Sequence, residues 1–436
     1  MMMRMRRAGG RLVVAGLLGA AAVALAPACS DGGSSGIADA ADSGGADVAA
    51  DTGGDDAVPA DVVADTAGED GAGDTAAPAD TAGGDPLATW SAPGPYHVGY
   101  RADSITYATN DGSGDRTLRA AIWYPTRDTT GDDVMYAGLL AADGVLGDAA
   151  PVADEGPLPV VVFSHGNSGF AEQSWFLTEH LATLGYLVIA IDHTGNTAFD
   201  GGDVPAEIFH WRPADVSAAI DHLVGLPAGD ALAGLVSDRV AVVGHSFGGY
   251  TTLAVGGAGF AVDAILAYCQ VGTLPAGGCA SFQANQALYR AGFLDARADA
   301  LIPMAPGATL VFGTDGVADV GLPTLLMTAG MDRTTTNAEE GDPTWAQLEE
   351  TAGNLRVDLA TAGHFTFSDA CELPLGIGAD DGCGADNIPW ARAHDIINAY
   401  AAAFLARTLR GDDGGDALLD GTVSLDDDVT LSVGGD

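Results

Sequence analysis

The stretch VAVVGHSFGGYTTLAV, residues 240–255, decides the fold. Four apolar residues, Val240 to Val243, run into Gly244 His245 Ser246 Phe247 Gly248 Gly249, and a small-residue segment from Tyr250 to Val255 follows. The pattern predicts a strand, a sharp turn and a helix. A serine on such a turn is pushed out above the strand end, at a helix N-terminus where backbone NH groups favour negative charge. Gly244 and Gly248 are required there because a Cβ at either place would crowd a turn that folds back on itself.

Outward from this turn the chain alternates. N-terminal to it, strands are expected at Leu158 to Ser164, Leu187 to Ile191 and up to Gly244, with helices at Ala171 to Thr183 and Ala214 to Val224; the second helix carries an apolar stripe at Val216, Ile220, Leu223 and Val224. Tyr96 to Tyr107 and Thr117 to Tyr124 flank the turn residues Asn110 to Gly114 and read as a hairpin, and Thr126 to Gly156 reads as looser chain. Beyond the turn, residues 257–298 interrupt the alternation with an expected helix Ser281 to Ala291, as either a cap over the site or a peripheral insertion. Strands then resume at Ala300 to Met304, Thr324 to Thr328 and Leu355 to Leu359. A final helix, Ile388 to Leu409, closes the domain, and the acidic tail 411–436 offers an edge strand at Val429 to Val433. The expected class is α/β: a mostly parallel, doubly wound sheet with helices on both faces and a helical insertion after the serine helix.

In such a sheet, ligands sit beyond the carboxyl ends of the strands, so residues just past each strand are the chemical candidates. Asp332 follows the strand Thr324 to Thr328, and His364 follows Leu355 to Leu359. Of the nine histidines only His364 and His394 lie beyond Asp332, and His394 falls inside the closing helix. Ser246, His364 and Asp332 then form a nucleophile, a base and a group that orients the base. Asp299, Asp315, Asp319 and Asp369 remain alternatives for the acid. An oxyanion needs two preorganised donors: the NH of Phe247 and, from the loop FSHGNSG at residues 163–169, the NH of Asn167. His165 is expected to brace this loop, and His245 to pack. Phe170, Trp175, Phe176, Phe199, Trp211 and Phe365 flank the site as candidates for an apolar acyl pocket, against the competing reading that they belong to the core.

FSHGNSG, AIDHTGNT (190–197), RPADV (212–216), GHSFGG (244–249) and AGHFTFSD (362–369) together resemble the bacterial α/β-hydrolases called dienelactone-hydrolase-like, relatives of the platelet-activating factor acetylhydrolases. The resemblance spans about residues 95–410. It implies the α/β-hydrolase fold and a cofactor-free Ser/Asp/His carboxyl-ester hydrolase, acting on a small-molecule or polymeric ester. True dienelactone hydrolases carry a cysteine nucleophile, which is missing here. The mammalian acetylhydrolases place the acid after the preceding strand, whereas here Pro303 Met304 Ala305 Pro306 contains none, which moves the assignment to Asp332. Secreted polyester hydrolases and cutinases share the serine turn and the HG-type loop. The alternative from another class is a non-catalytic, surface-anchored binding protein on the same scaffold.

The 436 residues carry 60 acidic side chains against 17 basic ones, a formal net charge of −43, and every basic residue is arginine. Such a chain repels phosphate, so nucleic acid is excluded as a partner. Arg4, Arg6, Arg7 and Arg11 precede the apolar run Leu12 to Ala26, which is shorter than the roughly 20 residues that span a bilayer. Residues 1–29 therefore read as a cleaved export signal. Its end, Leu25 Ala26 Pro27 Ala28 Cys29, resembles a bacterial lipoprotein signal, although leucine stands one place further from the cysteine than is usual. That resemblance implies lipidation of Cys29 and anchoring of an exported chain to a membrane. Residues 30–86 hold 14 acidic residues, no basic one and almost no large apolar residue. They predict a disordered linker with an end-to-end distance on the order of 40 Å, ahead of a domain over 87–410.

Five cysteines in an exported chain leave one for lipid. The others pair by proximity, Cys269 with Cys279 and Cys371 with Cys383, as small disulfide loops. Their gaps exceed the two to four residues between paired zinc ligands, so no metal is expected.

Overall fold

The computed structural model describes residues 86–271, 276–373 and 376–435. The expected signal, Cys29 and the linker up to residue 85 lie outside them.

A short helix α1 (Pro86–Trp90) precedes β1 (His97–Ala108) and β2 (Asp115–Thr126), which pair antiparallel as the hairpin expected. Next come β3 (Asp132–Tyr136) and β4 (Leu140–Gly147), a second antiparallel hairpin in the segment read as loose. The third stretch alternates as β5 (Leu158–Ser164), α2 (Trp175–Thr183), β6 (Leu187–Ile191), α3 (Ile208–Val224), β7 (Val236–His245) and α4 (Phe247–Val255). The insertion holds α5 (Val262–Val271), α6 (Ala276–Ala284) and α7 (Gln286–Ala291). Then follow β8 (Ala298–Met304), β9 (Leu325–Ala329), α8 (Asp342–Leu348), β10 (Leu355–Leu359), α9 (Trp390–Leu405), α10 (Asp416–Leu419) and β11 (Val429–Val433).

Among the described residues the strands form one sheet in the order β11-β10-β9-β8-β7-β5-β6-β2-β1-β4-β3. The run from β10 to β6 is parallel, and β11 and β2 join its two sides antiparallel. The winding reverses at β5: β6 lies on one side of it and β7 on the other. In open α/β sheets such a reversal marks the ligand-binding place, here beyond the carboxyl ends of β5 and β7. Period-two alternation fills both faces. Ala241 and Val243 of β7 enter the core layer beneath α2 and α9, whereas Val240 and Val242 enter the layer beneath α3 and α4.

Several boundaries differ from the sequence reading for identifiable reasons. α2 starts at Trp175, not Ala171, because the four residues before it are committed to tertiary contacts: the NH of Ala171 donates to Asp192 and the Glu172 carboxylate takes Arg119 and Tyr100. α3 begins six residues earlier than expected and runs through Pro213. A proline lacks the NH that would bond the carbonyl four residues back. That carbonyl, on Phe209, accepts the Tyr250 hydroxyl at 2.6 Å instead. The expected helix Ser281 to Ala291 breaks at Asn285 into α6 and α7. The insertion packs sideways, through Phe282 on Phe209 and through Phe260 on Tyr250 and Phe312. Cys269–Cys279 closes a loop within it, and Cys371–Cys383 closes one after the His364 segment.

Candidate active site

Ser246 sits between β7 and α4 with φ 59° and ψ −119°, a left-handed backbone that non-glycine residues rarely adopt. The glycines around it are sterically forced. A Cβ on Gly244 would stand 2.3 Å from the Gly248 carbonyl oxygen, and one on Gly248 would stand 1.9 Å from that of Ser164. The turn is held by Ser246 NH donating to Met304 O and by Gly249 and Gly307 NH donating to Ser246 O.

The three strand-end residues meet. His364 Nε2 lies 2.9 Å from Ser246 Oγ, and His364 Nδ1 lies 2.8 Å from Asp332 Oδ2. With Nδ1–H donating to the carboxylate, Nε2 presents its lone pair to the hydroxyl. Asp332 is itself fixed: Oδ1 accepts the NH groups of Thr334 and Thr335, and Oδ2 lies 2.9 Å from the Thr335 hydroxyl. Burial pushes the Asp332 carboxyl up, but its hydrogen bond to His364, the charge of His364 and the Thr335 donors outweigh this and leave it below its ordinary value. It is therefore ionised at neutral pH. Asp369, the nearest alternative acid in sequence, points elsewhere: its Oδ2 accepts the NH of Phe176.

On the donor side, Gly166 NH is taken by Gln173 Oε1 and Gly169 NH by Gly166 O. The NH of Asn167 has no such partner among the described residues. Phe247 opens α4, where an NH lacks an intrahelical acceptor. The Asn167 side chain is tied down as well, since Asn196 Nδ2 donates to its Oδ1 at 2.8 Å. Asn196 in turn accepts from Arg212, which is fully buried, also reaches Ser164 Oγ and His165 O, and lies over the Phe247 ring. Desolvation lowers the Arg212 guanidinium to about 9, above neutrality, so it stays charged. Both bystander histidines are structural: His165 Nε2 accepts the NH of His193, and His245 is buried between Gln173 and the His364 carbonyl. Burial, then the neighbouring His364, depress His245 to about 3, so it stays neutral.

Two residues that the sequence reading does not single out tie these parts together. Gln173 grips the donor loop through Gly166 and His245 through its Nε2, while its carbonyl takes the NH of Asp369. Asp381 accepts the NH groups of Arg333 and His364 with Oδ1 and the Thr334 hydroxyl with Oδ2, bracing the acid loop and the histidine loop at once. Only the closeness of Asp381 to Cys383 in a short disulfide loop after His364 hinted at it.

The six aromatic candidates divide. Phe365 follows His364 with its ring centroid 5.4 Å away, and Phe170 touches Phe199, which is 52% exposed beside the donor loop. The other three are engaged elsewhere, a correction to the expected pocket. Trp175 packs on Tyr136, Phe176 stacks on His394, and Trp211 takes Arg116 over its ring and reaches towards Asp111. Each side chain leaves the strand ends because its element presents that face to the core or to the β1–β2 turn.

Residues 161–374 match the model of the alpha/beta hydrolase family. A comparison with curated proteins finds no match. Among solved structures, the chain is similar to a ferulic acid esterase from Streptomyces cinnamoneus, with 22% identity and a TM-score of 0.55, covering 78% of this chain and 98% of that one. The matched stretch holds Ser246, Asp332 and His364, and the chain has the α/β-hydrolase fold.

Proposed function

We propose that this protein is a serine carboxyl-ester hydrolase of the dienelactone-hydrolase-like and acetylhydrolase-like kind, acting on esters with an apolar acyl group. The observation that carries the reading is the unbroken chain Ser246–His364–Asp332, at 2.9 and 2.8 Å, behind a serine on a strained, glycine-flanked turn. His364 Nε2 takes the Ser246 proton as Oγ attacks the acyl carbonyl, and Asp332 balances the imidazolium. The NH groups of Phe247 and Asn167 receive the oxyanion. Collapse expels the alcohol, which takes the proton from His364. Water then attacks the acyl-enzyme with His364 as base, releases the acid and restores Ser246. No step requires a cofactor.

Phe365, Phe170 and Phe199 supply apolar surface near the serine and favour an acyl chain of modest length or an aromatic acyl group. Turnover of a p-nitrophenyl ester series from acetate to palmitate, with a feruloyl ester added, tests the reading. One or more should be hydrolysed, and Ser246→Ala should cut that rate by about four to six orders of magnitude. Equal hydrolysis by the variant would rule out Ser246 as the nucleophile.

A further inference from the structure

A second cluster of chemical groups lies outside the triad. A carboxylate oxygen of Asp369, one of Glu372 and a ring nitrogen of His394 all lie within 4.8 Å of one another. The first two residues belong to a 3-10 turn, Asp369–Cys371 continuing into Glu372, whose NH donates to Asp369 O at 3.1 Å. Residues three apart eclipse on such a turn, so the two carboxylates share a face. The Cys371–Cys383 disulfide fastens the turn between them.

Asp369 is fully buried, yet only one of its oxygens is satisfied: Oδ2 accepts from Phe176, and Oδ1 has no hydrogen-bond partner among the described residues. An orphaned carboxylate oxygen at this depth is costly unless a proton or a cation meets it. Burial, and then the charges of Glu372 and Glu179, drive the Asp369 carboxyl well above the ordinary range. Glu179 is pushed up to about 7 by burial, with Tyr136 donating to it.

His394 is prepared as a ligand would be. Its Nε2 lies 3.1 Å from the Thr366 carbonyl, so Nε2 carries the hydrogen and Nδ1 offers a lone pair. A metal-bound histidine characteristically donates its other NH to a backbone carbonyl in this way. Its ring is stacked on Phe176 at 3.6 Å, with Trp390 at 5.5 Å.

We propose that Asp369, Glu372 and His394 hold one divalent ion of the zinc class, in a structural site that fastens the turn after His364 to α9. One imidazole nitrogen and two carboxylates suit Zn²⁺ with water as a fourth ligand, whereas Ca²⁺ would require six to eight oxygens. Metal–ligand distances of about 2.0–2.2 Å bring tetrahedral ligands to about 3.4 Å from one another. Glu372 is the exposed member of the three and so the ligand with the most freedom to close on the ion.

The test is calorimetric titration of the full chain with Zn²⁺ after stripping with EDTA, in excess Mg²⁺ to occupy the diffuse acidic surface. One tight equivalent should bind and should raise Tm. Glu372→Gln, whose side chain is exposed, should match the wild-type Tm in EDTA, bind Zn²⁺ at least about tenfold more weakly and lose the Tm rise. His394→Gln should bind equally poorly. Absence of a stoichiometric site, or wild-type affinity in Glu372→Gln, would overturn the proposal. The site does not depend on the ester-hydrolase reading: Ser246→Ala should bind the ion as the wild type does.

Discussion

Ser246, His364 and Asp332 are held in register by neighbours that have no part in the proposed chemistry. Asp332 accepts three donors besides His364, and this fixes the carboxylate plane that orients the imidazole. Asp332→Asn should therefore fold normally and lose several powers of ten in kcat, about 10⁴ in the protease precedent, because an amide stabilises the wrong tautomer and cannot balance the imidazolium. Asp369→Asn should keep near-normal turnover, since an amide oxygen still accepts from Phe176. Steady-state kinetics on both variants decide the matter, and the reverse ranking would show that the acid is misassigned. The grouping of the three was legible in sequence because each lies within a few residues of a strand's carboxyl end, and the strand-end rule needs no knowledge of contacts. Gln173 and Asp381 were not legible. Their hydrogen bonds, to His245 and to the NH groups of Arg333 and His364, join segments up to 72 residues apart, and no local pattern encodes that. The aromatic candidates were half-legible for a related reason: sequence places Trp175 and Trp211 near the site but does not say which way their elements face.

At the scale of elements, β5 and β6 were read to the residue because an almost continuous apolar run has few alternatives, and β10 was read by its alternation of apolar and charged residues. The β3–β4 hairpin was missed. Its strands are largely exposed and contain Asp132, Asp133, Asp143 and Gly144, residues with little strand propensity, and it owes its pairing to β1. α2 carries a testable electrostatic cost in Glu179, raised to about 7 mainly by burial. A carboxyl whose folded pKa exceeds its unfolded one gives stability that is fully present below the unfolded value. That contribution is lost as pH rises through the folded value. Between about pH 4.5 and pH 7 wild type should thus lose stability relative to Glu179→Gln, and above pH 7 the gap should be constant. Denaturant melts in EDTA across this range measure it. His180 and His394, both lowered to about 4 by burial, titrate alike in the two proteins and cancel from the difference. A difference independent of pH would mean that Glu179 is ionised throughout.

For the whole molecule, charge sets the relation to surroundings. A net charge of −43 without a lysine leaves arginine as the only permanent cation, and many arginines are spent internally, as in Arg116–Asp215 and Arg119–Glu172. A surface of this charge repels anionic lipid, so electrostatics alone would not attach it to a membrane. We propose that lipid on Cys29 attaches it, with residues 30–85 as tether. Cys29→Ser should then move the protein from the membrane fraction to the soluble one, and unchanged partitioning would refute the anchor. The proposed chemistry requires that Ser246 be an activated nucleophile. The most direct measurement of this is peptide mass spectrometry of the folded chain after reaction with a fluorophosphonate. A single phosphonyl adduct is expected, on Ser246, that disappears on prior unfolding and forms orders of magnitude more slowly in Asp332→Asn. An unmodified Ser246, or an adduct on another residue that persists in Ser246→Ala, would contradict it.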